Sequence, residues 1–369
     1  MKKITGNQQF DFQINRFTMN FAEQSSVKID IEDMAKTITN METWADWWQT
    51  RAQAYEAAGQ FEIAASYYKA AMFYLIEGEQ KQVIYASFQR CFYQYYHEFD
   101  YERGQVPYEN SSLPTLLLKN KGATKTLLVI GGFDGYLEEV ATFFNDLKGI
   151  DYNILIFDGP GQGNTSSNGL KFIPNFEKPV ATVLDYYHLK DVAAVGLSWG
   201  GLLVMRAAAF EKRIKQVIAM DIFYSPMDTL KMNMGLVKYT AFNVLLTLRT
   251  GRLVNHLMTN MATKSIDLTW KLNNGYQLTG EQQPYDLILN LKRHNAKTVL
   301  PFVNQECLLL AGSEDQYVPV KRLKQIKHEL VNSGGVRAKC FTKETGGEQH
   351  CQVGRMDLAM TEIKKFLIQ

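Results

Sequence analysis

Cysteine is scarce in this chain. Four residues, Cys91, Cys307, Cys340 and Cys351, stand among 369, with no C-x-x-C pair and no framework spacing. That pattern excludes a disulfide scaffold, and free thiols in a reducing compartment, by default the cytoplasm, fit it best. An excess of one charge is also lacking. The 40 basic and 38 acidic residues are interleaved and leave a net charge of +2. No basic stripe or tail is there for nucleic acid or an anionic membrane. Long apolar runs are missing: Val192 to Met205 is too short to span a bilayer, and glycines interrupt it. Met1 to Phe12 carries two lysines without an apolar run behind them, which argues against a signal peptide. No His/Cys/Asp cluster has ligand spacing, so no metal and no cofactor are expected.

What is present is apolar residue in quantity, 46% of the chain, enough for a sizeable core. The length predicts one large domain with an appended piece. From about Met41 to Phe99 the pattern is helical. Trp44, Trp47 and Trp48 open a first helix, and Gly59-Gln60 breaks it. Phe61 to Ile76 then sets Ala64, Ala65, Tyr68, Ala71 and Tyr74 at helical spacing, and Gln82 to His97 carries a further helix. AYEAAGQFEIAASYYKAA looks like one tetratricopeptide-type repeat, but a solenoid needs about three units. A helical buttress over residues 1–110 is the expectation.

After Pro107 short apolar segments alternate with helical patterns. Leu113 to Leu118, Thr126 to Ile130, Asn153 to Phe157, Val192 to Leu197, Gln216 to Met220, Cys307 to Ala311 and Ala338 to Phe341 read as buried strands. Glu138 to Leu147, Pro179 to Tyr187 and Leu202 to Phe210 read as intervening helices. Such alternation predicts a mainly parallel sheet covered on both faces. Between Ile222 and Val303 the regularity breaks, and amphipathic patterns such as Leu236 to Leu248 and Tyr285 to His294 accompany five methionines. Soft side chains suit a surface that accepts varied apolar shapes. This stretch is expected to form a helical cap which, with the aromatic N-terminal helices, encloses an apolar pocket.

Gly196-Leu197-Ser198-Trp199-Gly200 matches G-x-S-x-G, between the strand Val192 to Leu197 and the helix from Leu202. A sharp strand-to-helix turn lifts a serine hydroxyl above the sheet edge, and the helix N-terminus aims N–H groups at developing negative charge. A serine hydroxyl needs a base. In this arrangement the acid and then the histidine follow the serine along the chain. Of the six histidines, His97 and His188 precede Ser198, His256 and His294 fall in the cap, and His328 lies on a charged helix. His350, in the loop Gly346-Gly347-Glu348-Gln349-His350, fits the order. Asp315, after the penultimate strand, is the favoured acid, with neighbouring Glu314 and Asp221 as alternatives. An oxyanion hole needs two N–H donors, for which Trp199 and, in the turn Gly131-Gly132-Phe133-Asp134-Gly135, Phe133 are the candidates.

Across Leu113 to Gln369 these features resemble the α/β-hydrolase superfamily. The G-G-F-D-G turn, Asp158-Gly159-Pro160-Gly161-Gln162-Gly163, the G-L-S-W-G-G elbow and the helical extension resemble one branch of it. That branch holds the pseudooxynicotine carbon–carbon hydrolase, the fermentation-respiration switch protein and fungal polyketide-shortening hydrolases, and is related to the acylaminoacyl and dipeptidyl peptidases of the prolyl oligopeptidase group. Those peptidases carry a β-propeller, which the helical 1–110 segment replaces here. The resemblance implies an α/β-hydrolase fold over 111–369, a mostly parallel doubly wound sheet with a cap at about 222–303. The expected function is that of a serine hydrolase on a small-molecule or short acyl-peptide substrate, with ester, amide and acyl-peptide bonds all open. Carbon–carbon hydrolysis of a β-diketone-like substrate and a regulatory binding role on the same scaffold are the alternatives. Expected partners exclude nucleic acid and membrane and leave room for a homodimer.

Overall fold

The computed structural model describes residues 2–97 and 99–368. Two compact units make up the chain: Met1–Phe99 with Thr259–Gln277, and Asp100–Met258 with Leu278–Gln369. Among the described residues no helix is long and apolar enough to cross a membrane.

The first unit is built on α1 (Gln8–Thr18), α2 (Ser25–Thr37), α3 (Met41–Ala57), α4 (Phe61–Ala71) and α5 (Glu79–Tyr96). Asn40 starts α3 with a capping box, its side chain accepting from the Thr43 N–H at 2.8 Å while the Thr43 hydroxyl accepts from the Asn40 N–H at 3.1 Å. The tryptophans that open α3 face inward. Trp44 stacks on Phe10 at 5.3 Å, and Trp48 meets Tyr67 edge-on at 4.6 Å. One charge is buried with them: the Asp30 carboxylate accepts from the Tyr55 and Tyr67 hydroxyls at 2.6 and 2.9 Å and pairs with Arg51 at 2.5 Å. Three donors make that burial tolerable.

In the second unit the sheet begins earlier than expected. Its elements are β1 (Tyr101–Tyr108), β2 (Ser111–Leu118), β3 (Lys125–Ile130), α6 (Leu137–Phe143), β4 (Tyr152–Phe157), α7 (Glu177–Tyr186), β5 (Val192–Leu197), α8 (Trp199–Phe210) and β6 (Ile214–Met220). There follow α9 (Met227–Thr247), α10 (Gly251–Ala262), α11 (Ile266–Thr279), α12 (Pro284–Leu291), β7 (Glu306–Gly312), α13 (Lys321–Glu329), β8 (Gly335–Phe341) and α14 (Met356–Leu367). The helical extension therefore stops at Tyr96, not at residue 110, because Tyr101–Tyr108 pairs antiparallel with β2 along its whole length. The expected cap over 222–303 is helical, yet its Thr259–Gln277 stretch belongs to the first unit. There the Trp270 ring stacks on Phe73 at 4.8 Å, and the Lys81 ammonium donates to Gln277 at 2.8 Å.

The eight strands run in the order β1-β2-β4-β3-β5-β6-β7-β8. From β4 to β8 the neighbours are parallel. Central strands are apolar throughout: all six residues of β5 are buried, and Leu127 to Ile130 of β3 are fully so. Each fully buried Val, Leu or Ile side chain among them contributes about 1.5–3 kcal/mol. The chain leaves β3 toward β4 on one side and returns to β5 on the other, from which it proceeds outward to β8. Loops after β3 and β5 thus diverge and open a crevice at the carboxyl ends of the strands.

The turn after β5 is tight. A Cβ on Gly196 would lie 2.0 Å from the Gly200 carbonyl oxygen, and one on Gly200 would lie 2.4 Å from the oxygens of Ile130 and Gly131. Backbone atoms cannot yield as a side-chain end can. Gly196→Ala is therefore expected to lower the melting temperature by about 5 °C or more, from an overpacking cost on the order of 1–3 kcal/mol or above. Gly78→Ala, whose added methyl meets nothing within 4 Å, serves as the control. Equal melting curves for the two variants would refute this account of the turn.

Candidate active site

Ser198 sits at the bend between β5 and α8 with φ 60° and ψ −122°, a strained conformation for a residue with a Cβ. Its N–H is held by the Met220 carbonyl at 2.8 Å, which fixes the bend to the end of β6. The parallel register brings the ends of β7 and β8 to the same edge of the sheet. Asp315 follows β7 and His350 follows β8. The three residues expected to act together are brought together: the His350 Nε2 lies 2.8 Å from the Ser198 hydroxyl, and its Nδ1 lies 2.6 Å from the Asp315 Oδ2. The other Asp315 oxygen accepts from the N–H groups of Tyr317 at 2.7 Å and Val318 at 2.9 Å. These bonds hold the carboxylate in one orientation.

Of the alternative acids, Glu314 turns outward to an ion pair with Lys343 at 2.6 Å. Asp221 is 2% exposed and is not the hydrogen-bond partner of either imidazole nitrogen. One of its oxygens accepts from the Gly312 N–H at 2.9 Å; the other accepts from the Cys351 N–H at 2.8 Å and the Gln352 side chain at 2.7 Å. A single carboxylate thus ties the loops that carry Asp315 and His350 to the end of β6. Cys351 and Gln352 adopt left-handed φ of 49° and 53° where they meet it. Burial, and then the negative charge of Asp315, push the Asp221 carboxyl well above the usual carboxylate range.

Burial alone would depress the His350 imidazole. The Asp315 carboxylate, joined by the neighbouring Cys351, outweighs that effect and raises it well above the ordinary histidine value. The Cys351 thiol beside it is itself pushed up by burial. Phe223 and Tyr317 meet the imidazole edge-on at 5.9 and 4.9 Å and form apolar walls around it. One trio among the described residues, Asp221, His350 and Cys351, has possible ligand atoms within 4.8 Å of one another. The imidazole nitrogens and carboxylate oxygens of that trio are all engaged in the bonds above.

On the other side of the serine, a Cβ on Gly132 would lie 3.1 Å from the Ser198 Cβ, so the turn after β3 packs directly against it. The Phe133 ring stacks on Trp199 at 5.3 Å, and Phe223 also stacks on it at 5.3 Å. The Trp199 indole N–H donates to the His294 Nδ1 at 3.2 Å. His294 is buried, lies parallel to Phe172 at 4.7 Å, and is depressed by burial to about 3, so it is neutral. The remaining histidines, His97, His188, His256 and His328, are exposed.

Two contributors escaped the sequence reading. His294 was placed only in the cap, and nothing in its local pattern links it to Trp199. Gln162 lies in the Asp158 to Gly163 motif, and its side chain donates to the carbonyls of Gly131 and Gly132 at 2.6 and 3.0 Å. The glycine-rich motif around Gln162 was the available signal.

Removing the Asp221 acceptor leaves buried N–H groups unpaired, at about 1–3 kcal/mol each. Asp221→Ala should therefore melt earlier and exchange amide hydrogens faster over residues 346–355, whereas Glu314→Ala should do neither. Unchanged protection of that loop in Asp221→Ala would show that the clasp does not hold it.

A family model described as the alpha/beta hydrolase fold matches residues 125–347. The hydrolyase poxO of Penicillium oxalicum is 26% identical over 291 residues, which cover 72% of this chain and 68% of that protein. A solved structure of a 2,6-dihydroxy-pseudo-oxynicotine hydrolase superposes with a TM-score of 0.65 at 18% identity, over 94% of this chain and 93% of its own. That of wild-type AbyA5 gives 0.67 at 15% identity, over 90% and 88%. Matched by that family model over more than half of its length, and built on the strand–turn–helix and switch-point crevice described above, this chain belongs to the α/β-hydrolase family.

Proposed function

We propose that this chain is a serine hydrolase in which Ser198, His350 and Asp315 form the catalytic triad. The unbroken hydrogen-bonded line from the Ser198 hydroxyl through His350 to Asp315 carries the reading. His350 takes the Ser198 proton as the hydroxyl attacks a carbonyl carbon. Asp315 keeps the imidazole in the tautomer with Nε2 free to accept and stabilises the imidazolium that forms. The negative charge on the carbonyl oxygen is met by the N–H groups of Trp199 and Phe133, on α8 and on the turn against the serine. His350 then returns the proton to the leaving group, and water, activated by the same imidazole, releases the acyl product.

The substrate is a small acyl compound: an ester, an amide or a short acyl-peptide. Aromatic side chains at the triad, Phe223 and Tyr317 beside His350 and Phe133 on Trp199, support a compact apolar or aromatic acyl group. Hydrolysis of a carbon–carbon bond in a β-diketone-like substrate is the second reading, favoured by the likeness in shape, over nearly the whole chain, to the 2,6-dihydroxy-pseudo-oxynicotine hydrolase. The four free cysteines support a reducing, cytoplasmic setting.

Labelling with a fluorophosphonate probe tests the nucleophile. Wild type is expected to label and Ser198→Ala is not; in rate, Asp315→Asn should lose roughly 10⁴-fold while Glu314→Gln loses little. Equal labelling, or the reverse ranking of the acids, would refute the assignment. A panel of acyl esters, acyl-peptide anilides and β-diketones then separates the bond classes.

The pH profile follows from the direction of the His350 shift. Only neutral imidazole accepts the Ser198 proton, so activity is lost as pH falls through the His350 value. Because that value is raised, the acid limb of kcat/KM for a small ester should lie above about 6.5, the value of free imidazole. A limb below 6 would contradict it.

A further inference from the structure

We infer that Gln162 is the positioning residue of the oxyanion site: its side-chain amide aims the Phe133 N–H at the reacting oxygen. The inference rests on the serine-hydrolase reading above and adds a residue from a different loop, the one after β4.

The amide of Gln162 is 2% exposed and uses both of its ends. Its Oε1 accepts from the Gly159 N–H at 3.0 Å. Its Nε2 donates to the Gly131 carbonyl at 2.6 Å and the Gly132 carbonyl at 3.0 Å. A flipped amide would set an oxygen against two carbonyl oxygens, so only this orientation is stable. The backbone under it is fixed as well: the Gln162 N–H donates to the Gly159 carbonyl at 2.9 Å, and the Thr165 hydroxyl bonds the carbonyls of Gly159 and Gln162 at 2.8 and 2.7 Å.

The consequence follows from the planarity of the peptide. Every peptide bond among the described residues is trans. In a trans peptide the C=O and N–H point opposite ways, and the unit turns as a rigid plate. Holding the Gly132 oxygen therefore sets the direction of the Phe133 N–H. Holding the Gly131 oxygen with the same NH₂ group fixes the preceding plate. Gly132 is the pivot between them, and as a glycine it does little to restrain their rotation. Its Cα packs against Ser198, where a Cβ would lie 3.4 Å from the hydroxyl oxygen. Without the clamp the plates are free to rotate, and a donor aligned before reaction becomes one that must be aligned during it.

The test uses the full chain with Gln162→Glu and Gln162→Met. Met keeps the side-chain length and lacks both donor and acceptor, while Glu, buried against two carbonyl oxygens, is held protonated and can still donate through its O–H, so Met is the variant that decides and Glu should lose less. Active sites are titrated with a fluorophosphonate, so that rates refer to folded, reactive protein. With a small ester, kcat per titrated site should fall about 10–100-fold with KM little changed, less than or equal to the loss of one oxyanion donor. A trifluoromethyl ketone analogue, whose carbonyl carbon bonds the Ser198 oxygen while the serine proton moves to His350 and the carbonyl oxygen becomes the oxyanion, should lose affinity by the same factor. The corresponding alcohol, which cannot form that adduct, should bind as it does to wild type. Wild-type kcat and ketone affinity in folded Gln162→Met would overturn the role of Gln162, as would a parallel loss of alcohol binding. Undiminished turnover by Ser198→Ala would overturn the underlying reading, a separate and distinguishable result.

Discussion

Everything at this site hangs on the contact between two backbones. The Gly196 Cα lies so close to the Gly200 carbonyl that no side chain fits between them. That approach lets β5 turn into α8 within one residue, and the residue at the bend, Ser198, bears the strain, on the order of 1–3 kcal/mol. The buried strand beneath it and the bond from the Ser198 N–H to the Met220 carbonyl over-determine the turn and keep the strain in place. The same bend puts a helix N-terminus behind the hydroxyl, so the proposed nucleophile and one proposed oxyanion donor come from consecutive residues.

Around that bend two polar side chains do for the loops what hydrogen-bond ladders do for strands. Asp221 gathers the loops after β7 and β8 on one side. Gln162 gathers the loops after β3 and β4 on the other. Each is buried, and each satisfies several backbone groups that would otherwise stand unpaired. The two buried carboxylates also divide their tasks by what donates to them. Asp315 receives the imidazole nitrogen, while Asp221 receives backbone and amide N–H groups.

The central strands were legible in the sequence because they are buried on both faces and read as apolar runs. β1 was not: in Tyr101–Tyr108 only Val106 and Tyr108 are buried, and the segment holds a glycine, a proline and two charges, as an edge strand can. Stretch 259–277 reads as part of one helical insert, and contacts distant in sequence, such as Trp270 on Phe73 and Lys81 to Gln277, assign it to the helical unit. Of the site, Ser198, Asp315 and His350 could be named from their places after successive strands. The separation of Asp315 from Glu314 and Asp221 could only be ranked, since position along a loop does not say which carboxylate turns toward a ring.

By itself, then, the sequence determined the apolar periodicity of the sheet, the glycine pair that permits the bend, and the order in which Ser198, Asp315 and His350 follow the strands. These are local properties, written in side-chain pattern and backbone freedom over a few residues. Which acid meets the imidazole, that Asp221 is a clasp, that Gln162 holds the Phe133 turn, and that His294 receives the Trp199 indole were decided by tertiary structure alone. Each depends on groups from separate loops that meet only because parallel strands end at one edge of the sheet, and a hydrogen bond forms where distance and direction agree, whatever the separation along the chain.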